Sequence, residues 1–180
     1  AAGLNERSGP LGQIWPRQSG VLHAVAQFAG MGAGSTFSYY AGLADTYAFE
    51  EPAQPTGGGE FGLLVREPVG VVGAIIPWNA PLMLTAYKVA PALLAGCTVV
   101  LKASPEAPGE AYVLAEIAES IGLPPGVLNV VTADREVSEL LVRDSRVDKI
   151  TFTGSTVAGR KIASICGERI ARVTLELGGK

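Results

Sequence analysis

Four short segments of this 180-residue chain carry residue types able to bind or transform a small molecule. Gly154-Ser155-Thr156 follows an apolar run ending at Phe152 and opens a segment of helical length. Its backbone N–H groups and the helix dipole would converge on one point, suited to a phosphate or pyrophosphate. The same residues serve equally as a plain N-cap with a glycine for the turn. Lys102 closes the apolar run Thr98–Leu101; its ammonium would meet a ribose hydroxyl, a phosphate or simply water. Asn79 stands in Pro77-Trp78-Asn79-Ala80-Pro81 between two stiffening prolines. Its amide would stabilise a developing oxyanion, or bond its own backbone in a turn. Glu176 ends another apolar run just before Gly178-Gly179. A partly desolvated carboxylate there would suit general-base work, and an open strand end would make it only a solvated charge.

Other features read as structural. Gly154–Lys161 approaches a phosphate-binding P-loop, but Arg160 stands where the lysine belongs and Lys161, followed by Ile162, where a serine or threonine would be sought. Gly30-Met31-Gly32-Ala33-Gly34 has no strand before it and so fails as a dinucleotide fingerprint. His23 reads as a surface or satisfied core histidine. Cys97 and Cys166 are far apart with one histidine to help them, which argues against a disulfide framework or a metal site. Cys97 reads as a small buried hydrophobe, and Cys166, at a helix end, as the same with more exposure.

The elements that must position these residues come from periodicity. Residues 1–20 read as an irregular lead-in, and Val21–Tyr47 as two helices separated by a flexible break at Gly30, Gly32 and Gly34. Glu50–Glu60 reads as a linker and Phe61–Arg66 as a short strand. From Val69 onward strands (Val69–Ile76, Thr98–Leu101, Leu128–Val131, Lys149–Phe152, Arg172–Leu175) alternate with helices (Leu82–Leu94, Gly109–Ile121, Glu136–Val142, Thr156–Ile165). Strict alternation predicts an α/β fold with a parallel sheet and helices on both faces, the ligands gathering beyond the carboxyl ends of the strands. This gives an N-terminal helical segment and linker over 1–60 and an α/β domain over 61–180.

Composition sets the class. With 48% apolar and 17% charged residues and a net charge of −3, the chain is expected to be a soluble, mildly acidic globule, neither disordered nor a cationic nucleic-acid binder. The longest apolar stretch, Val89–Leu101, is interrupted by Pro91 and Gly96 and falls short of the ~20 residues of a membrane span. Opening on Ala1 and stopping at Lys180 just after a strand, it is expected to be a fragment.

Taken together, Ile75-Ile76-Pro77-Trp78-Asn79-Ala80-Pro81, Lys102-Ala103-Ser104-Pro105-Glu106, Phe152-Thr153-Gly154-Ser155-Thr156 with Gly159-Arg160, and Leu175-Glu176-Leu177-Gly178-Gly179-Lys180 resemble, in order and spacing, the NAD(P)-dependent aldehyde dehydrogenases. The resemblance covers about Phe61 to Lys180. It implies a Rossmann-like cofactor domain, with part of Phe61–Glu67 belonging to an oligomerisation strand, and an oxyanion amide at Asn79. It further implies a general base at Glu176 and a proton-relaying lysine at Lys88. Ile75, Ile76, Pro77, Trp78, Lys102, Ser104, Pro105, Gly154, Ser155, Ala158 and Leu177 would contact NAD or NADP. Ala80, Met83, Leu84 and Tyr87 would line the aldehyde tunnel. A cytoplasmic homodimer or homotetramer acting on a small-molecule aldehyde, with no nucleic-acid or membrane partner, is what such a relative would be.

Two departures matter. Many members carry a glutamate three residues after the lysine that matches Lys102; here Pro105 holds that place and Glu106 follows. The family's catalytic cysteine lies beyond the glycine pair matching Gly178-Gly179, and neither Cys97 nor Cys166 occupies its position. The chain alone is therefore expected to oxidise no aldehyde. Its rivals are a catalytically silent nucleotide-binding or regulatory module and, from Gly154–Lys161, a P-loop hydrolase.

Overall fold

The computed structural model describes residues 1–179. Four helices come first: α1 (Ala2–Glu6), α2 (Ser8–Ser19), α3 (His23–Ala26) and α4 (Ala29–Leu43). Strands β1 (Glu50–Ala53) and β2 (Gly62–Val65) form a separate antiparallel pair. Then β3 (Val71–Ile75), α5 (Pro81–Leu94), β4 (Thr98–Ala103), α6 (Gly109–Ser120), β5 (Leu128–Thr132), α7 (Arg135–Arg143), β6 (Lys149–Gly154), α8 (Thr156–Glu168) and β7 (Arg172–Leu177) alternate without exception.

The five later strands form one parallel sheet in the order β5-β4-β3-β6-β7. Chain order runs outward from β3 to β5, then crosses back to β6 on the other side of β3. Ligand crevices form where strand order reverses, here between β3 and β6. The alternation of β3 shows why both faces are covered. Val72, Ala74 and Ile76 join Val89 of α5, Ala111 of α6 and Leu101 of β4 in one core. Ile75 joins Val142, Ile150, Phe152, Ile162 and Ile165, beneath α7 and α8, in another. The expected α/β architecture is present, each strand and helix within a few residues of its expected bounds.

The N-terminal third departs from expectation. Residues 1–20 form two helices, because Leu4, Leu11 and Trp15 recur at helical spacing and enter a third core with Leu82 and Ala86 of α5 and Leu114 and Ile117 of α6. The glycines expected to break a helix lie inside α4. They are there for close approach: a Cβ on Gly30 would come 2.6 Å from Ser8 Oγ, and one on Gly32 2.9 Å from Met83 Sδ. The expected linker begins with β1, which pairs with β2. Cys166 is fully buried rather than more exposed, on the inner face of α8 in the second core, and Cys97 is buried in the first. Among the described residues no helix is long and apolar enough to cross a membrane.

Candidate functional site

The carboxyl edge of the sheet gathers most of the expected residues in one row. Lys102 is the register partner of Ile75, Ile75 of Phe152, and Phe152 of Leu175. Beyond these strand ends stand the turns Pro77–Pro81 and Gly154–Thr156, which flank the reversal of strand order between β3 and β6.

The second turn is held by its own residues. Gly154 must lack a side chain, since a Cβ there would come 2.5 Å from the Phe152 ring. Ser155 caps α8, its Oγ accepting from the Ala158 N–H at 3.3 Å. The N–H groups of Thr156 and Val157 are left without an acceptor among the described residues. Thr153 Oγ1, near the end of β6, is buried with no partner. Free donors at a helix start and an orphaned hydroxyl suit an anionic oxygen ligand. Gly159 lets Leu177 pack on α8, where a Cβ would come 2.4 Å from Leu177 Cδ2, and Thr156 Oγ1 donates to Gly178 O at 3.3 Å.

The first turn is held by distant residues. Trp15 Nε1 donates to the Asn79 carbonyl at 2.9 Å and Ser19 Oγ to the Trp78 carbonyl at 2.6 Å, both from α2. Gln18, on the same helix, accepts from the Gly109 N–H at the start of α6 at 3.1 Å. None of these α2 residues was expected; the recurrence of Leu4, Leu11 and Trp15 is the signal that could have placed them on a helix. With its backbone pinned, Asn79 leaves its amide side chain exposed, next to exposed Trp78 and half-buried Pro77 and Ala80. Ile75 and Ile76 are buried behind it. Along α5, Met83 and Leu84 are half-buried and Tyr87 is exposed.

Lys88, buried on α5, donates from Nζ to Thr151 Oγ1 of β6 at 3.1 Å. Burial pushes its pKa down to about 8, against the pull of the nearby Glu176 carboxylate. Glu176 itself is exposed, where a partly desolvated site was expected. The reason is its strand: β7 is a sheet edge, paired with β6 through Thr153↔Glu176 and packed by α8. Among the described residues only Lys88 and Thr151 are bonded; Glu176 makes no ion pair with Lys88 and acts on it through space.

Lys102 is buried, not solvated, and donates to Ala133 O at 3.3 Å. Burial lowers its pKa, with Glu106 and Asp134 drawing it back. Ser104 is buried and bonds the Glu106 carboxylate, which this bond and Lys102 hold below the usual carboxylate range; Pro105 is exposed. At this corner, then, an ammonium, a hydroxyl and a carboxylate meet. Tyr112 Oη and Thr132 Oγ1, 3.0 Å apart, stand on the neighbouring α6 and β5. The P-loop reading finds no support in the geometry, since Lys161 pairs with Glu139 on α7.

Comparison with known proteins places this arrangement. The aldehyde dehydrogenase family matches the chain over residues 1–180. Geranial dehydrogenase of Castellaniella defragrans is 54% identical over 146 residues, 81% of this chain and 30% of that protein. Phenylacetaldehyde dehydrogenase of Pseudomonas fluorescens is 56% identical over 116 residues, 64% of this chain and 23% of that protein. Among solved structures, a Mycobacterium tuberculosis aldehyde dehydrogenase complexed with NAD+ superposes with a TM-score of 0.92 at 41% identity, over 98% of this chain and 36% of that one. An Escherichia coli NADP-dependent enzyme does so with a TM-score of 0.92 at 34% identity, over 98% and 37%. The chain thus spans about a third of the length of these relatives.

Proposed function

The chain belongs to the aldehyde dehydrogenase family, and from that premise we propose that the protein carrying it oxidises an aldehyde to a carboxylic acid with NAD or NADP. The observation that carries this reading is the pair of turns at one crevice: an exposed, backbone-pinned amide at Asn79 beside free helix donors at Thr156 and Val157. NAD(P), when bound, supplies the hydride acceptor. Ile75, Ile76, Pro77, Trp78, Lys102, Ser104, Pro105, Gly154, Ser155, Ala158 and Leu177 surround the edge on which it would lie, and the orphaned Thr153 hydroxyl fits an oxygen-rich ligand there.

Asn79 donates to the oxygen of the attacked carbonyl, where negative charge develops. Glu176 takes the proton of an attacking water, and Lys88 passes it on through Thr151. Ala80, Met83, Leu84 and Tyr87 guide the aldehyde along the face of α5. Glu106 sets a carboxylate beside Ser104, where the 2′-phosphate of NADP would meet repulsion, so NAD is the preferred cofactor. The exposed Phe61, Leu63, Leu64 and Val65 along β2 give the apolar strand surface of a homodimer or homotetramer.

Nucleophilic attack needs a thiolate that neither buried cysteine provides. By itself the chain therefore acts as a nucleotide-binding module. The test is direct: the longer protein reduces NAD in the presence of aldehyde and the 180-residue chain does not. Aldehyde oxidation by the pure chain, or failure of the longer protein to reduce either cofactor with any aldehyde class, overturns the reading.

A further inference from the structure

Glu110 is the one fully enclosed acidic side chain among the described residues. It belongs to the first turn of α6, and neither of its carboxyl oxygens has a hydrogen-bond partner of good geometry. The polar group closest to offsetting its burial is the backbone of Leu82, in the first turn of α5. That helix begins poorly equipped. Its N-cap, Ala80, has no side-chain acceptor, and Pro81 has no N–H. Immediately before it stands Asn79.

We propose that Glu110 is a positioning residue for Asn79: reaching from α6, its carboxyl holds the first turn of α5 from outside and thereby sets where the amide stands. This rests on the reading of Asn79 as the oxyanion donor. The opposite side of the same turn is held by Trp15 and Ser19, so the turn sits between a fixed clamp and an ionisable one. Ionised, the carboxylate attracts the Leu82 N–H and the positive end of α5; protonated, it is a weak acceptor and the grip loosens.

No neighbouring charge competes for it. The elements packed on α6 are α1, α2, α5 and β5. Their charged groups are Glu6 and Arg17, both exposed, and Lys88, bonded to Thr151; Arg7, between α1 and α2, pairs with Glu116. On α6 itself, Glu119 is exposed. Burial therefore dominates and pushes the carboxyl's pKa up to about 7, with only the Leu82 backbone drawing it back.

The only two tryptophans, Trp15 and Trp78, both touch this turn, so intrinsic fluorescence reads its state. In the 180-residue chain, which holds no other tryptophan, emission recorded between about pH 5 and pH 9 shows one transition centred near 7. Glu110→Gln removes it, and Glu110→Asp, with a shorter reach, displaces its midpoint. Every other titratable group of the chain is present in each variant, so only the change at Glu110 separates the curves. In aldehyde turnover by the longer protein, Glu110→Gln lowers kcat roughly ten- to a hundredfold and flattens its pH profile, with the KM for the cofactor unchanged. A transition that survives Glu110→Gln, or a kcat profile that does not move, overturns the proposal. Should Glu110→Gln fail to fold, an undisplaced midpoint in Glu110→Asp does the same. If the transition is found but no aldehyde is oxidised, the enzymatic reading fails while the hold of Glu110 on the turn stands.

Discussion

The turns after β3 and β6 lie side by side at one crevice and are built on opposite plans. After β6, the residues that shape the turn are within it: Gly154 makes room, Ser155 caps, and Gly159 admits Leu177 a few residues on. After β3, the residues in the turn do little for it. Ala80 cannot cap, Pro81 cannot donate, and the backbone is pinned by Trp15 and Ser19 from more than fifty residues away. A site that binds phosphate needs only a correctly started helix, which local sequence supplies. A site that aims one amide at a developing charge needs that amide fixed from several directions, which only tertiary structure supplies.

Several measurements would break or sharpen this contrast. The largest effect belongs to Asn79→Ala in the protein proposed above to oxidise aldehydes, with kcat falling roughly 10²- to 10³-fold and cofactor affinity unchanged. A loss shared equally by cofactor binding would show that the two turns do not divide their work. Next, Gly159→Ala drives a Cβ to 2.4 Å from Leu177 and should cost about 1–3 kcal/mol in chemical unfolding. Wild-type stability there would mean that α8 and β7 yield easily. Trp15→Phe and Ser155→Ala should each cost about 1 kcal/mol, but with different readouts: the first lowers kcat, the second cofactor affinity. Their double variant should be additive within about 0.5 kcal/mol, and strong coupling would merge the two turns into one unit. The smallest effect is a slope. Lys88 has its pKa lowered from 10.5 to about 8, so between those values the folded chain holds fewer protons than the unfolded one. Stability therefore rises with pH across that interval, and Lys88→Met should flatten the curve.

The same contrast explains what the sequence revealed. Every strand and helix from Val71 to Leu177 was legible, because β-branched runs and helical spacing alternate with turn residues, and each element buries a face against its chain neighbours. Asn79, Lys102, Gly154 and Glu176 were legible as positions at strand ends. Their surroundings were not all so. Glu176 was expected to be partly desolvated, but nothing in Leu175-Glu176-Leu177 reveals that β7 is an edge. Lys102 was as readily a solvated charge, and its burial depends on β5 and the Ala133 carbonyl. Gly30, Gly32 and Gly34 read as a break because glycine disfavours helices on its own account. Their value appears only once Leu4, Ser8 and Met83 press against α4. Nothing in Gly109-Glu110-Ala111 marks Glu110 as buried, since the polar backbone it faces belongs to α5.

Both thiols of the chain, Cys97 and Cys166, are sealed in the two cores that sandwich the sheet, and burial further raises the Cys166 pKa. In chemical-labelling terms the folded chain is a silent background. An alkylating probe applied to any longer protein containing it would leave these two sulfurs untouched, so each equivalent taken up counts a thiol contributed from elsewhere. The onset of labelling at these two positions would mark unfolding of the sheet itself.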